Sequence, residues 1–404
     1  MNEYHGGKLI GEGSFGCVFH PALNCKGEKN EKGDKVSKVF FGDQSFREAN
    51  EELKHDNIIK GIKGYDDWSH TWDYKCKPPV YKNILKVDKD IKQCLNINDI
   101  TIENFDKHSR MLQGNYAGDN LTDVISSLFT KDIFNNKNKF TKNFLKLMSL
   151  SKQLFVGLNE MYKHGISHND IKSDNILVHN DICNYIDFGM AAKHSEYNFF
   201  KTRSMSEFLS DRIYIIYPYE FIYMYTTDEV LQEELDDLKY DIFRSSHNNY
   251  KLIHETFFKR KSSKKYLLEL INIRLNEDIV RKKKTNIISL LDTYSLGILI
   301  PYTLCKLSQK YNKLTQLKKY IELEPINRFV TLFKYMSTQN SEDRIKPPQV
   351  LKRYLELEKL YLKGISVSGI QKSVTKSDRD IASQIELRIK RKGDKKTLRK
   401  NRKN

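Results

Sequence analysis

The chain has 404 residues, with 69 Lys+Arg against 52 Asp+Glu and a formal net charge of +17. Apolar residues make up 39% and aromatics 11%, a globular composition, and 19 Gly with 8 Pro exclude a collagen-like chain. Six cysteines with no CxxC pair argue against a disulfide scaffold, a redox dithiol or a zinc site, and suit a reducing compartment.

The N-terminus, MNEYHGGKLIGEGSFG, lacks the apolar run of a secretory signal. KLIGEGSFGCVFHPAL places apolar residues on both sides of a glycine-rich turn and predicts two strands, and KVSKVFF predicts a third. Residues 44–56 are rich in helix formers. Between 60 and 110, Trp68, Trp72 and Pro78-Pro79 predict loops with short strands. Residues 141–164 carry apolar side chains at helical spacing and end in Gly, so one helix is expected. ILVHNDICNYIDFG reads as two short strands around an Asn-Asp turn. Beyond residue 220 the pattern is mostly helical. The longest apolar run, YSLGILIPYTLC, is too short to cross a membrane and reads as a buried core helix. Strands first and helices later predict an α+β protein with two lobes. From Arg388 to Lys403 there are ten Lys/Arg and one acid, a local +9. This end has almost no apolar residues and is expected to be a disordered tail. It is either solvated charge or a dock for nucleic acid or another acidic surface.

Four groups of residues carry chemistry. Gly11-Glu12-Gly13-Ser14-Phe15-Gly16-Cys17-Val18, preceded by Ile10, lets backbone N–H groups approach phosphate oxygens. Strand-like CVFH and Pro21 follow it, so a strand–turn–strand lid fits better than the strand-to-helix turn of a dinucleotide fold. Lys38, flanked by apolar residues, should bury its stem and aim its ammonium into a site. One of Glu48, Glu51 and Glu52 could pair with it. The strongest group is His168-Asn169-Asp170-Ile171-Lys172-Ser173-Asp174-Asn175, followed by Asp187-Phe188-Gly189. Asp170 can accept a hydroxyl proton, and Lys172 can neutralise a moving phosphoryl group. Asn175 and Asp187 offer the hard oxygen ligands that Mg2+ prefers.

Taken together these motifs resemble the protein kinase family over roughly residues 8–355. Pro218-Tyr219-Glu220, Asp292-Thr293-Tyr294-Ser295-Leu296-Gly297 and Arg344 match later landmarks. The combination of GEGSFGCVFHPALNC, VSKVF, AGDNL and YPYE looks most like the Ser/Thr kinases of large nucleocytoplasmic DNA viruses. The resemblance implies a two-lobed kinase-like fold: a small β-rich N-lobe with one main helix over 1–115, a larger, mainly helical C-lobe over 116–362, and the tail over 363–404. It implies ATP and Mg2+ as cofactors and Ser/Thr-bearing proteins as substrates, in a cytoplasmic setting without membrane contact. Ile10 to Val18 would cover the ATP phosphates. Lys38 would contact the α- and β-phosphates, with Glu48 the expected partner. Residues around Gln113–Gly118 would form the hinge against adenine. Asp170 would be the base, Lys172 a γ-phosphate contact, Asn175 and Asp187 the metal ligands, and His168 a structural brace.

Two departures from the family pattern bear on function. Asn169 replaces the usual Arg before the base, which implies activity without activation-loop phosphorylation. Glu220 and Asp292 are far apart, which implies an insertion near 224–288. The alternative is a pseudokinase-like or nucleic-acid-associated virion scaffold with little catalysis. Lys38, Asp170 and Asp187 are all present, which favours the enzyme.

Overall fold

The computed structural model describes residues 7–13, 16–27, 34–42, 44–87, 100–209, 215–224, 251–259 and 277–363, with isolated positions at 89, 91–92, 95 and 249. The expectations for Ser14 and Phe15, for most of 224–288 and for the tail beyond 363 lie outside the described residues, as does the side chain of Glu12.

Five strands form the N-terminal sheet: β1 (Lys8–Gly13), β2 (Gly16–His20), β3 (Lys35–Phe40), β4 (Tyr74–Cys76) and β5 (Arg110–Asn115). Their order is β1-β2-β3-β5-β4, and every pair is antiparallel. Register decides what each face carries, because side chains alternate along a strand. Val18 lies opposite Lys38, and Lys38 opposite Leu112, so these three share a face. Helix α1 (Ser45–Lys60) covers that face, with Ala49 packed against Phe40 and Leu112. Cys17, Phe19, Val39 and Met111 point the other way, into a core closed by Tyr81 and Ile84 of α2 (Tyr81–Val87) and Phe105 of α3 (Ile102–His108).

The remainder is mainly helical: α4 (Leu121–Leu128), α5 (Lys137–Leu150), α6 (Lys152–Lys163), α7 (Tyr197–Leu209), α8 (Glu277–Ser289), α9 (Leu291–Lys310), α10 (Leu314–Tyr320), α11 (Ile326–Met336) and α12 (Pro347–Tyr361). Two small sheets, β6-β8-β9 (Asp119–Asn120, Ile176–His179, Ile182–Tyr185) and β7-β10 (Ile166–Ser167, Ala192–Lys193), support the loops between them. Asn180 and Asp181 turn from β8 to β9 with φ of 49° and 64°, values that Asn and Asp adopt more readily than other side chains. Helix α9 is the apolar run read from the sequence, and it is buried along most of its length. Asn120 and Asn136 cap α4 and α5 by accepting backbone N–H bonds from Thr122 and Lys139.

Two expectations are corrected. The single helix over 141–164 is two helices that meet at Ser151, whose hydroxyl donates to the Leu147 carbonyl at 2.8 Å. Such back-bonding competes with the helix ladder and bends it. The cysteines also depart from what a reducing compartment favours. Cys25 and Cys76 form a disulfide with Cα atoms 5.8 Å apart, and Cys17 is disulfide-bonded as well, while Cys183 and Cys305 are free. The bridge joins the segment after β2 to β4, which only the sheet order brings near.

Candidate active site

Lys38 reaches from β3 to α1, where its ammonium lies 2.9 Å and 2.7 Å from the two carboxylate oxygens of Glu52. Glu48 is not the partner. It lies one turn earlier, in the first turn of α1, and is half-buried, while Glu51 is exposed. The docking of Ala49 on Phe40 and Leu112 fixes the helix rotation, and this brings Glu52 over Lys38. Burial alone would depress the Lys38 pKa, but Glu52 first and then Asp187 raise it, so the ammonium stays charged.

Trp72, which the sequence suggested only as a loop residue, holds the helix in that position. Its indole N–H donates to Glu52 Oε1 at 2.6 Å, and its backbone N–H donates to Asp56 Oδ2 at 2.6 Å. Its carbonyl accepts from Lys60 Nζ at 2.6 Å. A half-buried Trp needs a partner for its N–H, and that was the only signal the sequence offered. Asp56 is buried, which pushes its pKa up to about 8.

The loop after β7 carries the second half of the site. Asp292, at the start of α9, accepts the backbone N–H groups of His168 and Asn169 at 2.5 Å and 2.9 Å. His168 is buried, with a ring nitrogen 3.0 Å from the Ile186 carbonyl and its ring against Phe188 at 4.8 Å between centroids. Asp170 Oδ2 lies 2.9 Å from Lys172 Nζ and accepts from Asn175 Nδ2 at 2.8 Å. The Asn175 amide nitrogen is thus engaged by Asp170, which leaves the side-chain oxygen as the ligand-competent atom.

Asp187 sits in the left-handed region, at φ 59°, just before the short turn Phe188–Met190. Burial would raise its pKa, yet Lys38, His168 and Lys172 together hold it below the ordinary carboxylate range. A buried carboxylate kept ionised by cations from two sides, with a side-chain amide oxygen available in the same loop system, suits a hard divalent cation. Asn175 and Asp187 could hold Mg2+ here.

The β1–β2 hairpin and β5 border the face that Val18 and Lys38 share. Gly16 is forced by pairing, since a Cβ there would lie 1.9 Å from the Val39 carbonyl oxygen. Gly11 lies opposite Val18, and a bulge at Ile10 leaves that residue 38% exposed. Cys17 contributes backbone alone, because its side chain is in the core on the far face. Tyr116, Ala117 and Gly118 run from β5 into β6, where the hinge was expected. Gly118 has φ +90°, and a Cβ would collide with the Val178 carbonyl at 1.9 Å.

Glu220 and Arg344 meet as a buried ion pair. The guanidinium also donates to the carbonyls of Thr338, Leu290 and Gln339, and Glu220 accepts from the Ser341 N–H at 2.9 Å.

A β-rich N-terminal sheet with α1 on the face that carries Lys38, a helical remainder, and a Lys–Glu pair facing an Asp–Lys–Asn loop define a protein kinase domain. The family described as protein kinase domain matches residues 4–360, and the chain belongs to that family. It is also similar to a probable serine/threonine-protein kinase, fhkE, of Dictyostelium discoideum, with 24% identity over 207 residues. That alignment covers 50% of this chain and 23% of the relative, so the chain spans less than a quarter of that protein. Among the described residues no single helix is long and apolar enough to cross a membrane. The bent pair Lys282–Ser289 and Leu291–Lys310 passes by length and composition, but its second member is largely buried inside the protein.

Proposed function

We propose that the protein is an ATP- and Mg2+-dependent serine/threonine protein kinase. The observation that carries this reading is the position of Asp187, whose carboxylate lies in the field of Lys38 from the sheet and of Lys172 from the loop. A phosphoryl transfer site needs the Lys–Glu pair and the metal-binding Asp in place together, because catalysis there is positioning plus electrostatics. Asn175 and Asp187 would hold Mg2+, which would supply positive charge against the phosphates of the nucleotide. Lys38, steadied by Glu52, positions the α- and β-phosphates. Ile10 to Val18 cover the phosphates, with backbone N–H groups as donors. Asp170 accepts the proton of the substrate hydroxyl, and Lys172 faces the moving phosphoryl group. The neighbouring Asn175 and Lys172 fix the Asp170 carboxylate for that task.

Protein Ser/Thr hydroxyls are the proposed acceptors, with Lys172 supporting that choice over Tyr. The N-lobe is taken as 1–115 and the C-lobe as 116–362. The 388–403 segment is proposed as a contact for nucleic acid or acidic surfaces. The motif combination supports origin in a large DNA virus and a cytoplasmic or virion setting, against which the Cys25–Cys76 disulfide and the disulfide-bonded Cys17 stand as a redox anomaly. The test is transfer of labelled phosphate from ATP to a mixed protein substrate with and without Mg2+, followed by phosphoamino-acid analysis. Label on Ser and Thr, lost without Mg2+ and in Asp187→Asn, is the expected result. Label on Tyr alone, or Mg2+-independent transfer, contradicts it.

A further inference from the structure

In many members of the family the residue before the base is an Arg that binds a phosphorylated activation loop. Here it is Asn169, buried, with φ 63°, and neither polar atom of its side chain has a hydrogen-bond partner. Among the described residues its side chain therefore grips no partner. Its backbone is engaged instead: the Tyr217 hydroxyl donates to the Asn169 carbonyl at 2.7 Å. Tyr217 is fully buried and stacks on Phe221 at 4.8 Å between ring centroids. Its oxygen in turn accepts from Arg203 Nε at 3.2 Å, and the guanidinium lies 5.7 Å from its ring centroid. Arg203 is held on α7 by an ion pair with Glu207 at 2.8 Å. The same segment is pinned twice more, by Ser204 Oγ to the Phe221 carbonyl at 2.9 Å and by Ser295 Oγ to the Ile216 carbonyl at 2.7 Å.

The arginine of this network is thus carried by α7 and is not the sequence neighbour of the base, and the chain of contacts runs Glu207, Arg203, Tyr217, Asn169. We propose that Arg203 is a positioning residue for Asp170, acting through the Tyr217 hydroxyl on the Asn169 carbonyl, so that the catalytic loop is set without a phosphate. Asp170 is among the charges that Arg203 feels, which fits a cation fixed close to the base. The peptide preceding Asp170 is then clamped on both sides. Asp292 accepts the N–H groups of His168 and Asn169, and the Tyr217 hydroxyl donates to the Asn169 carbonyl, which belongs to the peptide joining Asn169 to Asp170. Removal of Arg203 takes away the donor that orients the Tyr217 hydroxyl toward the Asn169 carbonyl, and the carboxylate loses part of its fixed bearing on the substrate hydroxyl. Misplacement of that order acts on turnover rather than on nucleotide binding, which belongs to the sheet and Lys38.

The inference rests on the kinase reading, and its test separates the two. Full-length wild type, Arg203→Ala, Tyr217→Phe, their double variant and Asp170→Asn are assayed for kcat and for the KM of ATP, alongside thermal melting. A further wild-type sample is treated with phosphatase first. The expected result is a fall in kcat of about tenfold in Arg203→Ala and in Tyr217→Phe, the size of one lost hydrogen bond to a charged group, with the KM of ATP within about twofold. The double variant should be no more than about twofold below the singles, because both remove the same link. Phosphatase treatment should leave wild-type activity intact. Arg203→Ala or Tyr217→Phe at wild-type kcat, beside an inactive Asp170→Asn, overturns the inference and leaves the kinase reading standing. So does a double variant whose loss is the product of the singles. If Arg203→Ala does not fold, Tyr217→Phe, which deletes one oxygen from a filled core, carries the same test alone. Equal activity in wild type and Asp170→Asn brings down the kinase reading and the inference with it.

Discussion

Two buried ion pairs anchor the site, and they answer to different measurements. Glu52 pairs with Lys38 and accepts the Trp72 indole N–H, whereas Glu48 touches neither. Glu52→Gln should therefore raise the KM of ATP and lower turnover, while Glu48→Gln should leave both close to wild type; steady-state kinetics of the two variants side by side decide it. Glu220 and Arg344 are at 1% and 0% side-chain exposure, so removal of one leaves a buried charge uncompensated. Arg344→Ala should cost roughly 3–5 kcal/mol of stability, read as a large drop in melting temperature, whereas a surface-like shift would show that the pair contributes little. Motif spacing together with the family resemblance singled out Lys38, Asp170, Lys172, Asn175, Asp187, Glu220 and Arg344 in the sequence. It could not choose among Glu48, Glu51 and Glu52. Glu48 and Glu52 lie one helical turn apart on the same side, and the choice depends on how Ala49 docks against the sheet. Trp72 was illegible for a similar reason, since its partners sit on α1, 16 and 20 residues away in sequence.

Helix α1 has a pH dependence of its own. Asp56, near its C-terminal end, is buried against the Trp72 backbone and has its pKa raised from 3.8 to about 8, chiefly by burial. Between those values the folded protein holds a proton that the unfolded chain releases. The associated stability is complete below about pH 4 and is lost as pH rises through about 8. The melting temperature should fall between pH 6 and pH 9. Asp56→Asn keeps an acceptor for the Trp72 N–H and should flatten that slope; a profile identical to wild type would place the titration elsewhere. At this scale the hairpin, α1, the β8–β9 turn and α9 were all legible, because periodicity and turn chemistry are local. The break at Ser151 and the Cys25–Cys76 bridge were not. The first turns on one hydroxyl choosing a backbone carbonyl, and the second closes across 51 residues of chain.

Across the whole molecule, charge and chemistry are separate. The motifs end before the α12 helix, and the +9 of residues 388–403 lies well beyond it. A chain truncated after Ser383 should keep peptide kinase activity and melting temperature. It should also lose salt-sensitive retention on DNA, whose affinity falls log-linearly with salt when Lys and Arg displace counterions. Loss of turnover on truncation would assign the tail to the folded kinase, and DNA binding unchanged by truncation would remove the nucleic-acid contact. The two-lobed α+β reading followed from the order of strands and helices. How the lobes share a site did not, because Asp187 meets Lys38 only through the fold. The most direct test of that shared site is the rate of Mg2+-dependent phosphate transfer from ATP to one protein substrate by wild type and Asp170→Asn. The account predicts a loss of about 10²–10⁴-fold in Asp170→Asn with unchanged melting temperature. Retention of more than a tenth of the wild-type rate would contradict it.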